Sequence, residues 1–361
     1  MNILILSPYD AASHQYWWRA LLAQFSAHSC VVVTLPARYF SWRFRGNSLT
    51  LSQDKRLQES YDLIIATSMT DLSALKGFCG SIHNVPTILY FHENQFAYPD
   101  QGDPNHVVER QITSLYSAIA AEQLVFNSKF NKTTFLQGVK RLLKKLPDGI
   151  PSGIVESLEN KSEIISVPLM PLTPLPSPSQ NDIPSSVAPA EVIDIVWNHR
   201  WEHDKGTEAL ETIVSMLVKS GIDFRFHLIG QSFRKIPQSV ENSISLLEQY
   251  QRLGTSGFIE NRDEYLDLLA HSQIVLSTAQ HEFQGLAVLE AIQAGCIPVV
   301  PDALAYQEFV DSQFRYSDVN EALLLIKRFA DAQDSIAPEL PESVNFSFVA
   351  SAWDRLISEM L

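Results

Sequence analysis

The fold is decided by a strand–loop–helix unit in the second half of the chain, IVLSTAQHEFQGLAVLEAIQAG at residues 274–295. Its first three residues, Ile274–Leu276, form a short apolar run that predicts a buried strand. Leu286–Gln293 has a helical pattern that ends at Gly295, a residue suited to closing a helix. Another apolar run, Ile297–Val300, follows directly. A strand, a helix and a strand in this order predict a βαβ unit, and therefore a parallel sheet.

The same alternation of strand and helix runs through most of the chain. In the first half, short apolar runs predict five strands, at Ile3–Leu6, Val31–Val33, Leu63–Ile65, Ile88–Tyr90 and Leu124–Phe126. Helical patterns lie between them, for example at Tyr16–Phe25 and Val107–Ala121. The alternation restarts with a strand at Ile193–Trp197, a helix at Thr207–Ser220 and a strand at Phe224–Ile229. We therefore predict an α/β protein of two doubly wound, Rossmann-like domains that face a central cleft at the carboxyl ends of their strands.

A proline-rich segment separates the two halves. Residues 168–189 contain seven of the 19 prolines in the chain, so this stretch can form neither a helix nor a central strand. We predict an N-terminal domain at residues 1–170, a Pro-rich linker at 171–190 and a C-terminal domain at 191–345. A helical pattern near the chain end predicts that residues 346–361 cross back to the N-terminal domain.

Charge is distributed unevenly between the halves. The chain has 27 Lys and Arg against 41 Asp and Glu, a net charge of −14 that argues against a generic nucleic-acid-binding protein. Residues 1–170, however, contain 15 basic and 14 acidic side chains, so the acidity belongs to the second half. Such a division suggests that the two halves bind different partners.

The cysteine content and the hydropathy of the chain predict its compartment. Three widely spaced cysteines without a CxxC pair are typical of reduced thiols. No apolar run approaches the ~20 residues that a transmembrane helix needs. We therefore expect a cytoplasmic protein without a membrane partner; the sequence specifies no oligomeric state.

Two glutamates flank the start of the helix at Leu286–Gln293. Glu282 precedes the helix at the carboxyl end of a strand, and Glu290 lies two turns into it. Backbone N–H groups at Gln284–Ala287 would face the cleft, where they favour an anionic ligand. Carboxylates accept hydrogen bonds from hydroxyl groups, and a helix N-terminus binds a phosphate. Together they suit a nucleotide sugar, which has both kinds of group. The alternative is a solvated helix with two surface acids.

A second polar cluster, HRWEHDKG at residues 199–206, follows the strand Ile193–Trp197. Arg200 and Lys205 are suited to a diphosphate, the first as a bidentate donor and the second as a point charge. A metal site is disfavoured because no motif such as HExxH is present. A salt-bridged surface loop is the alternative. The chain also lacks GxGxxG, GxxxxGK[ST] and GxSxG, which disfavours nicotinamide or flavin enzymes, P-loop NTPases and α/β-hydrolases.

The first half contains candidate acceptor residues. In YFHENQ, residues 90–95, His92 could bind a hydroxyl or phosphate oxygen, with Glu93 or Asn94 orienting it. The stretch Arg38–Arg45 mixes arginines with aromatic rings, as the recognition of looped RNA requires. A basic run follows later, with cations at Lys129, Lys132, Lys140, Arg141, Lys144 and Lys145. The alternative for both stretches is a solvated helix face beside core aromatics.

Taken together, these strings resemble the tRNA-queuosine α-mannosyltransferase family, one of the retaining family 4 glycosyltransferases with a GT-B fold. Glu282 and Glu290 are similar to the E-x7-E motif of family 4, and Arg200 with Lys205 to its basic pair. The combination of YFHENQ with HRWEHDK is the most specific part of the resemblance, which covers nearly the whole chain outside the Pro-rich segment.

The resemblance implies transfer of mannose from GDP-mannose to queuosine at the wobble position of a tRNA, with retention and without a metal or other cofactor. It implies catalytic roles for His92, Arg200, Lys205 and Glu282. Donor binding would fall to Gln284, Gly285, Leu286 and Glu290. Acceptor or RNA binding would fall to Ser13, His14, Arg43, Arg45, Glu93 and Asn94.

The sequence departs from the family pattern at one place, and it leaves two alternative functions open. Ala11-Ala12 stands where the family has a Gly-Gly pair, which would allow closer approach of a phosphate or acceptor. One alternative keeps the fold but assigns a lipid or polysaccharide acceptor, for which Val139–Leu146 is the candidate basic amphipathic surface. The other is a non-catalytic RNA-binding protein.

Overall fold

A computed structural model describes residues 1–98, 104–172, 192–232, 235–331 and 337–361, with the backbone alone at 104–106. The predicted Pro-rich linker lies outside these residues, apart from its first two positions. The chain divides into two compact units, Met1–Pro168 together with Ser343–Leu361, and Leu169–Glu342.

The N-terminal unit is built on a six-stranded parallel sheet with the order β2-β1-β3-β4-β5-β6. Its strands are β1 (Asn2–Asp10), β2 (Ser29–Pro36), β3 (Leu63–Thr67), β4 (Thr87–Phe91), β5 (Gln123–Phe126) and β6 (Ser162–Ile164). Its helices before the linker are α1 (Ala12–Gln24), α2 (Phe40–Leu51), α3 (Leu72–Phe78), α4 (Pro104–Ala120), α5 (Lys129–Leu143) and α6 (Ile154–Asn160). Residues Ile3–Leu6 and Leu63–Ala66 are fully buried, as expected of strands that helices cover on both faces.

The C-terminal unit repeats this plan with the strand order β12-β11-β10-β7-β8-β9. Its strands are β7 (Ile193–Asn198), β8 (Phe224–Ile229), β9 (Leu253–Gly257), β10 (Ile274–Leu276), β11 (Ile297–Pro301) and β12 (Arg315–Tyr316). Its helices are α7 (Thr207–Leu217), α8 (Gln238–Gln249), α9 (Arg262–His271), α10 (Leu286–Gln293), α11 (Tyr306–Phe309) and α12 (Val319–Asp331). Short 3-10 turns in the two units span Lys55–Gln58, Gly80–Ile82, His203–Lys205, Ser312–Phe314 and Glu342–Val344.

The last helix, α13 (Phe346–Met360), packs in the N-terminal unit. Its Trp353 is fully buried and stacks on Tyr90 of β4 with ring centroids 5.9 Å apart. The edge of the same indole meets Phe25 at the end of α1 at 6.0 Å. Aromatic contacts of this kind bury large apolar surfaces, so α13 belongs to the core of the N-terminal unit.

The strand order of the C-terminal sheet indicates where a ligand binds. In the C-terminal unit the chain proceeds outward from β7 through β8 to β9 and then returns to β10, on the other side of β7. In open α/β sheets, ligands bind at the carboxyl ends of strands where the order reverses. The loops after β7 and β10 therefore lie side by side at the ligand-binding edge. The two doubly wound sheets confirm the predicted α/β class.

Candidate active site

Lys205 and Glu282 form a buried ion pair between the loops after β7 and β10. Lys205 Nζ donates to Glu282 Oε2 at 3.1 Å and to the carbonyl oxygen of His281 at 2.9 Å. The two side chains are 9% and 20% exposed. Asp204 Oδ2 lies 3.5 Å from the same ammonium group. The structure thus brings together two residues that the sequence placed in separate motifs.

Backbone contacts join the two loops tightly. The N–H groups of Gln280 and His281 both donate to the Asp204 carbonyl oxygen, at 2.9 and 3.1 Å. Thr278 Oγ1 donates to the Lys205 carbonyl oxygen at 2.7 Å. Gly206 has a φ of +67°, and a Cβ there would lie 1.8 Å from the Thr278 carbonyl oxygen. Only glycine allows this approach, so Gly206 determines the position of the Lys205 loop.

The electrostatics of this cluster leave Glu282 ionised between neutral imidazoles. Burial by itself raises the pKa of Glu282. Lys205 and the neighbouring His199 and His281 have the opposite and larger combined effect, so the pKa falls to about 2. Burial lowers the pKa of both His199 and His281 to about 4, and the charge of Lys205 adds to this effect. At neutral pH the cluster therefore presents a carboxylate acceptor and neutral rings beside Lys205.

Arg200 lies on the more exposed side of the same loop. Its guanidinium is 45% exposed, with Nη1 2.9 Å from Glu202 Oε2 and Nη2 3.8 Å from Asp204 Oδ2. Arg200 and Lys205 thus share Asp204 as a neighbour. Both cations are held by acids of the same cluster, and each could give a charge-assisted hydrogen bond to a diphosphate.

Glu290 lies in a separate pair, away from Lys205. Its buried carboxylate forms an ion pair with Arg262 of α9 and accepts from the Tyr265 hydroxyl at 3.3 Å. Asn198, at the end of β7, donates to Tyr265 Oη at 3.1 Å and to the Ala287 carbonyl oxygen at 2.8 Å. Sequence reasoning missed Arg262, which no motif marks. Tyr265 and Asn198 connect Glu290 to the end of β7, which the Arg200 loop follows.

The remaining donor candidates stand at the beginning of α10. Gln284 is buried, Gly285 is the N-terminal cap in the left-handed region with φ +80°, and Leu286 is the first helical residue. A Cβ on Gly285 would approach the Tyr306 ring to 2.8 Å. The first N–H groups of a helix have no partner within the helix and attract anions, so this turn could receive a phosphate.

In the N-terminal unit, His14 and His92 form a stacked pair. The ring centroids are 4.2 Å apart with an interplanar angle of 21°, and Trp17 meets His92 edge-on at 4.9 Å. Nδ1 of His14 and Nε2 of His92 are buried and have no hydrogen-bond partner among the described residues. Burial lowers the pKa of His14 to about 4, and burial followed by the charge of His14 lowers that of His92 well below its usual value. Two neutral rings at the carboxyl edge of the sheet can donate or accept hydrogen bonds to a ligand.

An asparagine network positions the loop that carries His92. Asn127 Nδ2 donates to the His92 carbonyl oxygen at 2.9 Å, and Asn131 Nδ2 donates to Asn127 Oδ1, also at 2.9 Å. Asn94 is 1% exposed; its amide donates to Asn131 Oδ1 and Thr134 Oγ1 at 2.8 and 2.9 Å. The side-chain oxygen of Asn94, Oδ1, accepts from the backbone N–H groups of Phe96 and Ala97. Asn94 thus shapes the loop, whereas Glu93 is half-buried beside His92.

The other acceptor candidates are divided between α1 and α2. Ser13 is exposed in the first turn of α1, which follows the N-terminal cap Ala11; the φ of −70° and ψ of 164° at Ala11 suit any residue. Alanine therefore causes no backbone strain where the family has glycine. Arg45 on α2 forms an ion pair with buried Asp71 at 2.6 Å, and Arg43, half-buried, lies on the same helix. The acceptor residues are thus distributed over at least three elements.

Within the described ranges, no three His, Cys, Asp or Glu side chains are grouped as metal ligands would be. In the same part of the chain, no helix combines the length and hydropathy needed to span a membrane.

The buried histidines predict a loss of stability in mild acid. Burial lowers the pKa from 6.5 to about 4 in three of them, His14, His199 and His281. Between these values the unfolded chain binds more protons than the folded one, so the free energy of unfolding falls as the pH falls. We expect a loss on the order of 1–2 kcal/mol per histidine at pH 5 relative to pH 7, measured by urea unfolding. Replacing His199 by Asn should flatten this dependence, and replacing exposed His271 should not; a stability independent of pH over this range would contradict the prediction.

The comparisons with known proteins concern both units. Residues 2–169 match a family model described as tRNA-queuosine alpha-mannosyltransferase N-terminal, and residues 179–330 match one described as glycosyl transferases group 1. A tRNA-queuosine alpha-mannosyltransferase from Drosophila melanogaster is 31% identical over 320 residues, covering 88% of this chain and 84% of the fly protein.

Solved structures resemble the chain over nearly its whole length. Anabaena HepE, in complex with UDP, aligns with a TM-score of 0.69 at 13% identity, covering 99% of this chain and 100% of its own. Sucrose-phosphate synthase from Thermosynechococcus elongatus aligns with a TM-score of 0.67 at 14% identity, covering 99% of this chain and 98% of its own. At such low identity the likeness shows the fold alone: GT-B, with two Rossmann-like domains, as predicted.

Proposed function

Because the chain belongs to the tRNA-queuosine alpha-mannosyltransferase family, and is thus a glycosyltransferase, we propose that it transfers mannose from GDP-mannose to queuosine at the wobble position of a tRNA, with retention at the sugar. The observation that supports a donor site on the C-terminal unit is the Lys205–Glu282 pair between two loops at the strand reversal. It joins a cation for a leaving phosphate to a carboxylate for sugar hydroxyls at the edge where such sheets bind ligands.

In the proposed reaction, the bond between the anomeric carbon and the phosphate oxygen breaks, and its electron pair stays on the diphosphate. Arg200 and Lys205 stabilise the charge that develops there, which is the main contribution of the protein to the rate. The acceptor hydroxyl attacks from the same face, and its proton passes to the departing phosphate oxygen. Retention then needs no covalent intermediate with an enzyme side chain.

The donor contacts follow from the charge states in the site. Ionised Glu282 accepts hydrogen bonds from sugar hydroxyls, and the turn Gln284–Leu286 offers backbone N–H groups to a phosphate. Glu290 accepts from the ribose hydroxyls with its lone pairs that remain beside Arg262 and Tyr265. We add Arg262 to this set as the residue that orients the Glu290 carboxylate.

We assign the acceptor to the N-terminal unit, at Ser13, His14, Arg43, Arg45 and Glu93. His92 acts at the sugar or the phosphate, and its stacking on His14 supports a defined ring orientation. Asn94 acts by positioning, since both ends of its amide already bind within the loop. Arg45 contributes charge from its partly exposed guanidinium while it remains paired with Asp71.

We further propose that transfer needs no metal and takes place in the cytoplasm. Arg200 and Lys205 supply the positive charge at the diphosphate that a divalent cation supplies in other transferases, and a tRNA acceptor is available in that compartment. Full activity in the presence of excess EDTA is the expected result; loss that Mg²⁺ or Mn²⁺ restores would contradict it.

The donor is tested by a panel of nucleotides. We expect GDP and GDP-mannose to raise the thermal midpoint, because a ligand that binds only the folded protein stabilises it by about 2.7 kcal/mol at a hundred times its Kd. UDP and UDP-glucose serve as controls and should have no comparable effect. Radiolabelled mannose should then enter tRNA that contains queuosine and not the same tRNA with guanine at that position. Stabilisation by UDP alone, or incorporation independent of queuosine, would contradict the proposal.

A further inference from the structure

The second half of α5 presents a basic surface that the proposed reaction does not use. Residues 129–147 contain six Lys or Arg and no Asp or Glu. Removing these six charges from the total of −14 leaves −20 for the rest of the chain. A concentration of cations of this kind in an acidic protein is the electrostatic footprint expected of a site for a polyanion.

Four of the six cations form no hydrogen bond or ion pair with another side chain among the described residues. Lys132 Nζ donates to the Ser162 carbonyl oxygen at 2.8 Å and is thus used within the unit. Lys129 is the first residue of α5. The last four cations lie in the final turn of α5 and just beyond it, and they are exposed: Lys140, Arg141, Lys144 and Lys145. None of these four forms an ion pair with an acid in the described part of the chain, although α6 carries Glu156 and Glu159 nearby in sequence. We call these four residues the α5 basic surface.

Helix stability alone does not account for four such residues. A cation in the last turn of a helix is favourable by about 0.3–1 kcal/mol, since it interacts with the helix dipole. Like charges four residues apart oppose this effect, and the surface contains two such pairs, Lys140 with Lys144 and Arg141 with Lys145. The repulsion is relieved when a polyanion binds.

The apolar face of α5 distinguishes between two kinds of polyanion. Val139 and Leu142 are 0% and 4% exposed, and Leu143 and Leu146 pack against the same core. A helix that binds a membrane inserts its apolar face into the lipid, but here that face is already covered by the sheet. The α5 basic surface therefore suits a hydrated polyanion such as nucleic acid, and the acceptor alternative based on Val139–Leu146 loses its apolar half.

We propose that the α5 basic surface binds the phosphate backbone of the tRNA acceptor, away from the nucleoside that is modified. This inference rests on the proposed function. α5 begins after Ser128 at the carboxyl edge of β5 and runs to Lys144, a distance of about 24 Å at 1.5 Å per residue. It carries the four cations toward the opposite edge of the sheet from His92, so they contact a part of the RNA beyond the reacting loop.

The test removes the four charges and compares two acceptors. The variant is K140Q/R141Q/K144Q/K145Q, and its matched control removes four exposed or half-exposed cations elsewhere, K55Q/K219Q/K327Q/R328Q. We expect the first variant to raise the KM for queuosine-containing tRNA about 10-fold or more near physiological salt, with kcat unchanged. Its tRNA binding should become less dependent on salt, with a slope of log K against log [salt] smaller by ~3. Transfer to the free queuosine nucleoside should equal that of the wild type.

The possible outcomes distinguish a failure of the proposed α5 site from a failure of the proposed function. Equal KM values for both quadruple variants, or an unchanged salt slope, would overturn the α5 site while the wild type still transfers mannose. A wild type that transfers mannose to neither acceptor would overturn the proposed function, and salt-dependent tRNA binding would still report on α5. Loss of co-sedimentation with phosphatidylglycerol vesicles, with tRNA binding intact, would assign the surface to membranes instead. If the quadruple variant is poorly folded, the double variant K140Q/K144Q removes two of the four charges. It should produce about half the change in the slope of log K against log [salt].

Discussion

Replacing Glu282 by glutamine is expected to lower kcat for mannosyl transfer on the order of 10²- to 10³-fold, the size of effect seen when a preorganised polar group at a reacting centre is removed. Glutamine keeps the shape of the side chain and an oxygen that accepts from Lys205, so the loops should remain in place. What it removes is the negative charge: burial opposes it, but Lys205 and the neighbouring histidines lower the pKa of Glu282 to about 2. Steady-state transfer from GDP-mannose to queuosine-containing tRNA measures the change.

The controls separate chemistry from binding and folding. Glu208→Gln removes a carboxylate that is 61% exposed on α7 and should leave kcat unchanged. The affinity of Glu282→Gln for tRNA should equal that of the wild type, because we assign the RNA to the N-terminal unit. A kcat within threefold of the wild type would remove Glu282 from the site.

Substituting Gly206 by alanine is expected to cause the largest loss of stability among single changes near the donor site. The residue has a φ of +67°, and a Cβ would lie 1.8 Å from a backbone carbonyl oxygen that cannot rotate away. The left-handed conformation costs an alanine about 1 kcal/mol, and the overlap requires the β7 and β10 loops to separate. We expect a total of about 3–5 kcal/mol, a thermal midpoint lower by about 10 °C and loss of transfer activity.

Gly221→Ala is the matched control for this prediction. Gly221 has a φ of +81°, but its Cβ would meet nothing within 4 Å. Gly221→Ala should lower the free energy of unfolding by only about 1 kcal/mol, the cost of the left-handed conformation, and should keep full activity. Equal effects of the two substitutions, measured by thermal unfolding, would show that the approach of the two loops does not matter.

Much of the architecture was predictable because buried parallel strands and their helices are local patterns. The predicted bounds of Leu286–Gln293 and Phe224–Ile229 coincide with α10 and β8. The patterns failed at the sheet edges, where β9 reads LGTSG and is a strand only because it pairs with β8. α2 was predicted only as the alternative for Arg38–Arg45, since its helix begins with aromatic and arginine residues and has no capping side chain.

The two βα halves, the division of charge between them and the motifs that resemble the family can all be read from the sequence. Which members of those motifs meet depends on the folded chain. Lys205 and Glu282 are 77 residues apart and pair because β7 and β10 are neighbours, whereas Glu290, from the same motif as Glu282, pairs with Arg262. Folding also covers the leucines of α5 and leaves the α5 basic surface exposed. The physical reason is that hydrophobic periodicity acts over a few residues, while an ion pair between loops depends on the order in which distant strands assemble.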